Sequence, residues 1–141
     1  MSDHSTASAD AELRLPAEGA YAAVIRTTAA GLAARLDFTI DDIEDLRIAI
    51  GEATALVIAE ADPGTDVVCG FHFSPGHLTL DLSVTAIDNP EVDRESFAWQ
   101  VLETMADDVS ATSESGIFRV GFSMTSQLAA MPPAPGTGAD A

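Results

Sequence analysis

Cys69, His72 and His77 have side chains that could bind a transition metal, yet they lie in sequence that reads as extended strand. Residues three apart on a strand point to opposite faces, so Cys69 and His72 cannot converge on one ion, and a structural role is expected for all three. Glu52 is a different case. Ile48, Glu52 and Leu56 recur at helical i, i+4 spacing, so one helix face offers a single carboxylate between two aliphatic side chains. That carboxylate can meet a partner or stay solvated, and Leu56 adds no oxygen for a hard cation such as magnesium. Arg26 can grip a partner carboxylate in two parallel bonds, the alternative being a surface ion pair with a nearby Glu. Phe97 and Trp99, in Arg94-Glu95-Ser96-Phe97-Ala98-Trp99, read either as core aromatics or as an exposed partner patch.

The elements that must position these residues follow from hydrophobic period. Glu12 to Leu15 alternates apolar and polar residues before Pro16, which suits an edge strand. From Glu18 to Leu36 the positions Tyr21, Ile25, Thr28, Leu32 and Leu36, widened by Val24, predict a first helix with Arg26 just off its buried stripe. Thr39 with Asp42 three residues on is a capping-box-like start to a second helix. Ile43, Leu46, Ile50, Ala53 and Val57 form its stripe, and Asp62-Pro63-Gly64 stops it. Val67 to Phe73 and His77 to Thr85 predict a hairpin turning at Ser74-Pro75-Gly76. A third helix is predicted from about Glu95 to Asp108, with Ala98, Leu102, Met105 and Val109 inward, followed by a hairpin turning at Ser115-Gly116. Strands joined by tight turns pair antiparallel. The expectation is an α+β, two-layer α/β sandwich: a mixed, mainly antiparallel sheet with three helices on one face.

The 141 residues suit one domain, expected over 11–128, with residues 1–10 and 129–141 as disordered ends because their small and polar composition buries too little apolar surface. No apolar run approaches the ~18 residues of a membrane span, no basic-then-apolar leader opens the chain, and the single cysteine suits a reducing compartment. A cytoplasmic location is expected, with no membrane association. Twenty-three acidic residues face six basic ones, all arginine, for a formal charge of −17. Such a field repels nucleic acid phosphates and argues against direct DNA or RNA binding. It either attracts a basic protein partner or serves solubility alone.

Four segments, YAAVIRTTAAGLAARL from Tyr21, IEDLRIAIGEA from Ile43, VLETMADDV from Val101 and the closing SGIFRVGFSMT, occur in an order and spacing that resemble a known family across about 12–128. It is the anti-sigma factor and serine-protein kinase family (RsbW type), of the histidine-kinase-like ATPase fold. The resemblance implies that Glu52 matches the general base accepting the substrate serine's proton, and that Leu56 stands where an Asn would hold magnesium. It places Val84 and Ala86 where an adenine-reading Asp and a following Gly belong; the less favoured alternative is Asp88-Asn89-Pro90 as a shifted version of that box, without its glycine. It aligns the glycine-free Arg94 to Trp99 with a phosphate-cradling segment, and leaves only Ile87 to Arg94 for a nucleotide lid. Ser96-Phe97-Ala98-Trp99 resembles a Ser-Phe-x-Trp sequence of some actinobacterial members, a degenerate branch.

By the same resemblance Arg26 matches an arginine at the partner surface, so Arg26, Phe97 and Trp99 are the candidate partner-binding residues and Glu52 the candidate relic base. The reading is an anti-sigma factor that sequesters an alternative sigma factor and is countered by an anti-anti-sigma factor. The second reading is an active ATP-dependent serine kinase of the anti-anti-sigma factor. ATP and magnesium are implied by family only. No cofactor, no metal ligand and at most a homodimer through a sheet edge are expected.

Overall fold

The computed structural model describes residues 8–130, and the expected tails at residues 1–7 and 131–141 lie outside the described residues. The chain forms β1 (Ala11–Pro16), a 3-10 turn (Gly19–Tyr21), α1 (Ala22–Arg35), α2 (Ile40–Glu60), β2 (Asp66–Ser74) and β3 (His77–Thr85). Then come α3 (Phe97–Met105), β4 (Asp107–Glu114), β5 (Ile117–Thr125) and the short α4 (Gln127–Ala130). The sheet order is β1-β2-β3-β5-β4. All four pairings are antiparallel, so the mixed sheet allowed by the sequence reading is antiparallel throughout the described residues.

α1, α2 and α3 cover one face. The inward rows Val67, Cys69 and Phe71 of β2, Leu78, Leu80, Leu82 and Val84 of β3, and Phe118, Val120, Phe122 and Met124 of β5 form the core. Each such Leu or Phe contributes about 1.5–3 kcal/mol by leaving water. α2 runs through the centre of the helix layer with Leu46, Ala49, Ile50, Ala53 and Val57 buried. Thr39 and Asp42 close a full capping box at its start: the Asp42 N–H donates to Thr39 Oγ1 at 3.1 Å, and the Thr39 N–H to Asp42 Oδ2 at 2.9 Å.

Three sequence expectations change. The buried stripe of α1 is Ile25, Ala29 and Ala33, with Thr28, Leu32 and Leu36 only half-buried and Val24 exposed, because small residues let α1 approach α2 closely. α3 ends at Met105, and Val109 belongs to β4: Asp107 pairs with Ser123, a register shift follows, and Asp108 adopts φ 52. Pairing with β5 thus overrides a helical period that rested on one further apolar position. Residues 9–10 extend the edge of the sheet: the Asp10 N–H donates to the Phe71 carbonyl and its Oδ2 accepts from the Phe73 N–H. The Ser115-Gly116 turn has φ 55 and 81, the left-handed pair that a two-residue hairpin demands.

Candidate functional site

Arg26 of α1 and Glu52 of α2 are both half-buried on helices that pack against each other. Gly51 opens the space: a Cβ there would lie 3.7 Å from Arg26 Nη1, so the guanidinium rests close against the α2 backbone beside Glu52. Among the described residues no carboxylate lies within 4.0 Å of Arg26, so the ion pair weighed in sequence is not formed. Val24 and Ile48 are exposed large aliphatics on the same two helices. On α2, Ile48 lies one turn before Glu52, so the carboxylate has exposed apolar surface on its own face.

Further along α2, Leu56 is half-buried and lines a cleft of about 260 Å³ with Ala55, Ala59, Glu60, Glu91, Val92, Asp93, Ser96, Ala98 and Phe118. Its charged lining is three carboxylates and no cation. The connection from Ala86 to Ser96 forms its outer wall, and that connection is fastened to the β4–β5 hairpin. The Ala86 N–H donates to the Gly116 carbonyl, the Gly116 N–H to Asn89 Oδ1, and the Ser113 hydroxyl to the Pro90 carbonyl. Val92 packs against the core beneath it. Val84 and Ala86 are themselves buried core residues. Beyond the connection a second cavity of about 560 Å³ is lined by Asn89, Pro90, Glu91, Val92, Arg94, Ala111, Thr112, Ser113 and Phe118.

The two candidate aromatics part company. Trp99 is 1% exposed, its backbone N–H donating to the capping Ser96 Oγ and its ring covered by the Arg94 guanidinium 4.8 Å from the centroid. Phe97 is 79% exposed. Of the pair, Trp99 takes the core role and Phe97 is presented to solvent.

Cys69 points into the core, and burial, reinforced by the Asp81 carboxylate, pushes its thiol up to about 12, so it carries no thiolate. His72 lies on the open sheet face, where its Nε2 is 3.6 Å from Asp81 and Arg119 approaches the same carboxylate at 4.0 Å. Among the described residues no group of three or more His, Cys, Asp or Glu could hold a metal ion. This charged cluster, the Arg94–Trp99 stack and the bond from the Ile87 N–H to the Asp62 carboxylate were not foreseen from sequence. Strand alternation alone puts His72, Asp81 and Arg119 on one face, but only the register brings them together.

No family model matches the chain. A stretch of 50 residues, 36% of the chain, is 48% identical to the serine-protein kinase RsbW of Bacillus thuringiensis (strain Al Hakam), and equally to those of Bacillus cereus (strain B4264) and Bacillus anthracis (strain A0248). The match spans 31% of those relatives' own length. By fold the chain is similar to the crystal structure of the RsbU and RsbW domains of Rv1364c from Mycobacterium tuberculosis. The TM-score is 0.59 at 14% identity, covering 82% of this chain and 32% of that one. At that identity what is shared is the α+β fold, and together with the sequence match it supports the RsbW-type resemblance.

Proposed function

We propose that the chain is an RsbW-type anti-sigma factor that works by binding: it holds an alternative sigma factor through the α1–α2 seam, and an anti-anti-sigma factor competes for it. The observation that carries the reading is the cleft beside Leu56. Phosphate groups need cations or converging backbone amides, and magnesium needs oxygen ligands in number. The cleft offers Glu60, Glu91 and Asp93 against an aliphatic wall, with its connection tied down by Asn89, Pro90 and Ala86. ATP phosphates would meet like charge and no cation there, and among the described residues the carboxylates are not grouped to hold a metal ion, so magnesium-ATP does not fit the cleft.

The second reading, a serine kinase, is favoured by the name of the matched relatives and by the presence of Glu52. Calorimetric titration with magnesium-ATP separates the two: the binding reading expects no heat of saturable binding, and tight magnesium-dependent binding would overturn it. At the seam, Arg26 is the anchor, since its guanidinium pairs with no carboxylate among the described residues and can form two charge-assisted bonds with a partner carboxylate. Arg26→Ala should weaken the sigma complex by about 1.5–3 kcal/mol, roughly ten- to hundredfold in Kd. An unchanged Kd removes Arg26 from the interface.

A further inference from the structure

β4 ends the sheet and pairs only with β5 among the described residues. Its hairpin fixes which of its backbone groups are free. Glu114 and Ile117 close a two-residue turn and bond to each other, so Thr112 and Ser110, two and four residues back, also turn their N–H and C=O toward β5. The backbone groups of Val109, Ala111 and Ser113 therefore point away from the sheet, and no turn, loop or side-chain hydrogen bond among the described residues takes them up. The same three side chains face the helix layer, which stops short of β4 and leaves them half-buried. Beside them lies the cavity of about 560 Å³, floored by Phe118, Val92 and Ala111 and walled by the tied-down connection.

We propose that this edge and its groove dock an extended, arginine- or lysine-bearing segment of a partner protein by strand addition, a second interaction surface separate from the α1–α2 seam. An added strand would bond to the outward N–H and C=O of Ala111 and Ser113, and alternate side chains would drop into the groove. Charge selects the occupant. Asp107, Asp108 and Glu114 stand exposed at the two ends of the strand and Glu91 on the groove wall, whereas the groove's cation, Arg94, is stacked on Trp99. The chain's −17 charge acts in the same direction. Negative ends also discourage a second copy of this chain from pairing there, as charged edges commonly do.

A fluorescein-labelled hexapeptide of alternating Arg and Val, its Glu-Val counterpart and the whole protein test this. The Arg-Val peptide should bind, the Glu-Val peptide should not, and amide hydrogen exchange should slow at Ala111 and Ser113 on binding. Ala111→Pro removes one outward N–H at an edge position that tolerates proline, and should weaken binding more than tenfold. The pair Glu91→Arg with Glu114→Arg keeps the backbone intact and should weaken it similarly, so a folding defect in the proline variant leaves the test standing. Absence of Arg-Val binding, protection confined to the acidic first turn of α2, or affinity unchanged in both variants would overturn the proposal.

Discussion

Asp42 joins parts of the chain 85 residues apart. Its Oδ2 accepts the Thr39 N–H at 2.9 Å and the Gln127 N–H at 3.0 Å, fastening the start of α2 to the chain leaving β5. Burial alone would raise its carboxyl, but the donors from Gln127 and Thr39 outweigh burial and hold it below 3.8. A depressed folded value means the stabilisation is fully present above the unfolded value of about 3.9 and is lost as pH falls through the folded one. Asp42→Ala should cost about 1–2 kcal/mol in urea unfolding at neutral pH, and the gap to the parent should close below about pH 4. A gap constant to pH 2 would show that the lost bonds do not depend on the charge. Thr54 is the converse: its hydroxyl is buried in α2 without a hydrogen-bond partner among the described residues. Thr54→Val keeps the shape and removes the unpaired group, so stability should rise by about 1 kcal/mol. A lower urea midpoint would mean that the hydroxyl has a partner in solution.

At the scale of elements, the β2–β3 turn and α4 are built against each other. Gly76 has φ 74, and a Cβ there would collide with the Ala129 Cβ. The Ser126 N–H donates to the Gly76 carbonyl, and the buried Ser126 hydroxyl donates to the Asp37 carbonyl while accepting from the Leu128 N–H. Gly76→Ala should therefore destabilise by two separable effects, left-handed strain of roughly 1–2 kcal/mol and displacement of α4. Adding Ala129→Gly should restore only the second part in a double-mutant cycle. Full recovery would show that the turn relaxes its backbone. The capped start of α2 and both hairpins could be read locally, because a box, a Pro-Gly and a Ser-Gly carry their own stereochemistry. The end of α3 could not, since Asp107 to Val109 changes from helix to strand only when β5 is beside it.

For the whole molecule, a formal charge of −17 with six arginines as its only Lys or Arg cations sets the terms of association. Long-range attraction acts on the encounter and is screened by salt over about 8–10 Å near physiological ionic strength, whereas the packed contacts of a formed complex are much less affected. For the proposed sigma factor complex, raising salt from about 50 to 500 mM should lower the on-rate at least tenfold and change the off-rate far less. A flat on-rate would leave the acidity as a device for solubility alone. Within the described residues no helix is long and apolar enough to cross a membrane.

The order of elements, the hairpins and the inward rows of β3 and β5 were determined by sequence alone. They rest on local period, turn chemistry and residue type, which need no partner in space. Tertiary structure decided what depends on neighbours distant in the chain. Close helix packing moved the α1 stripe to Ile25, Ala29 and Ala33. It also sent Trp99 inward under Arg94 while Phe97 stayed outside, and set Arg26 against Gly51 without a carboxylate partner among the described residues. A side chain's type states what it can bind; only the packing around it states whether that capacity is already taken.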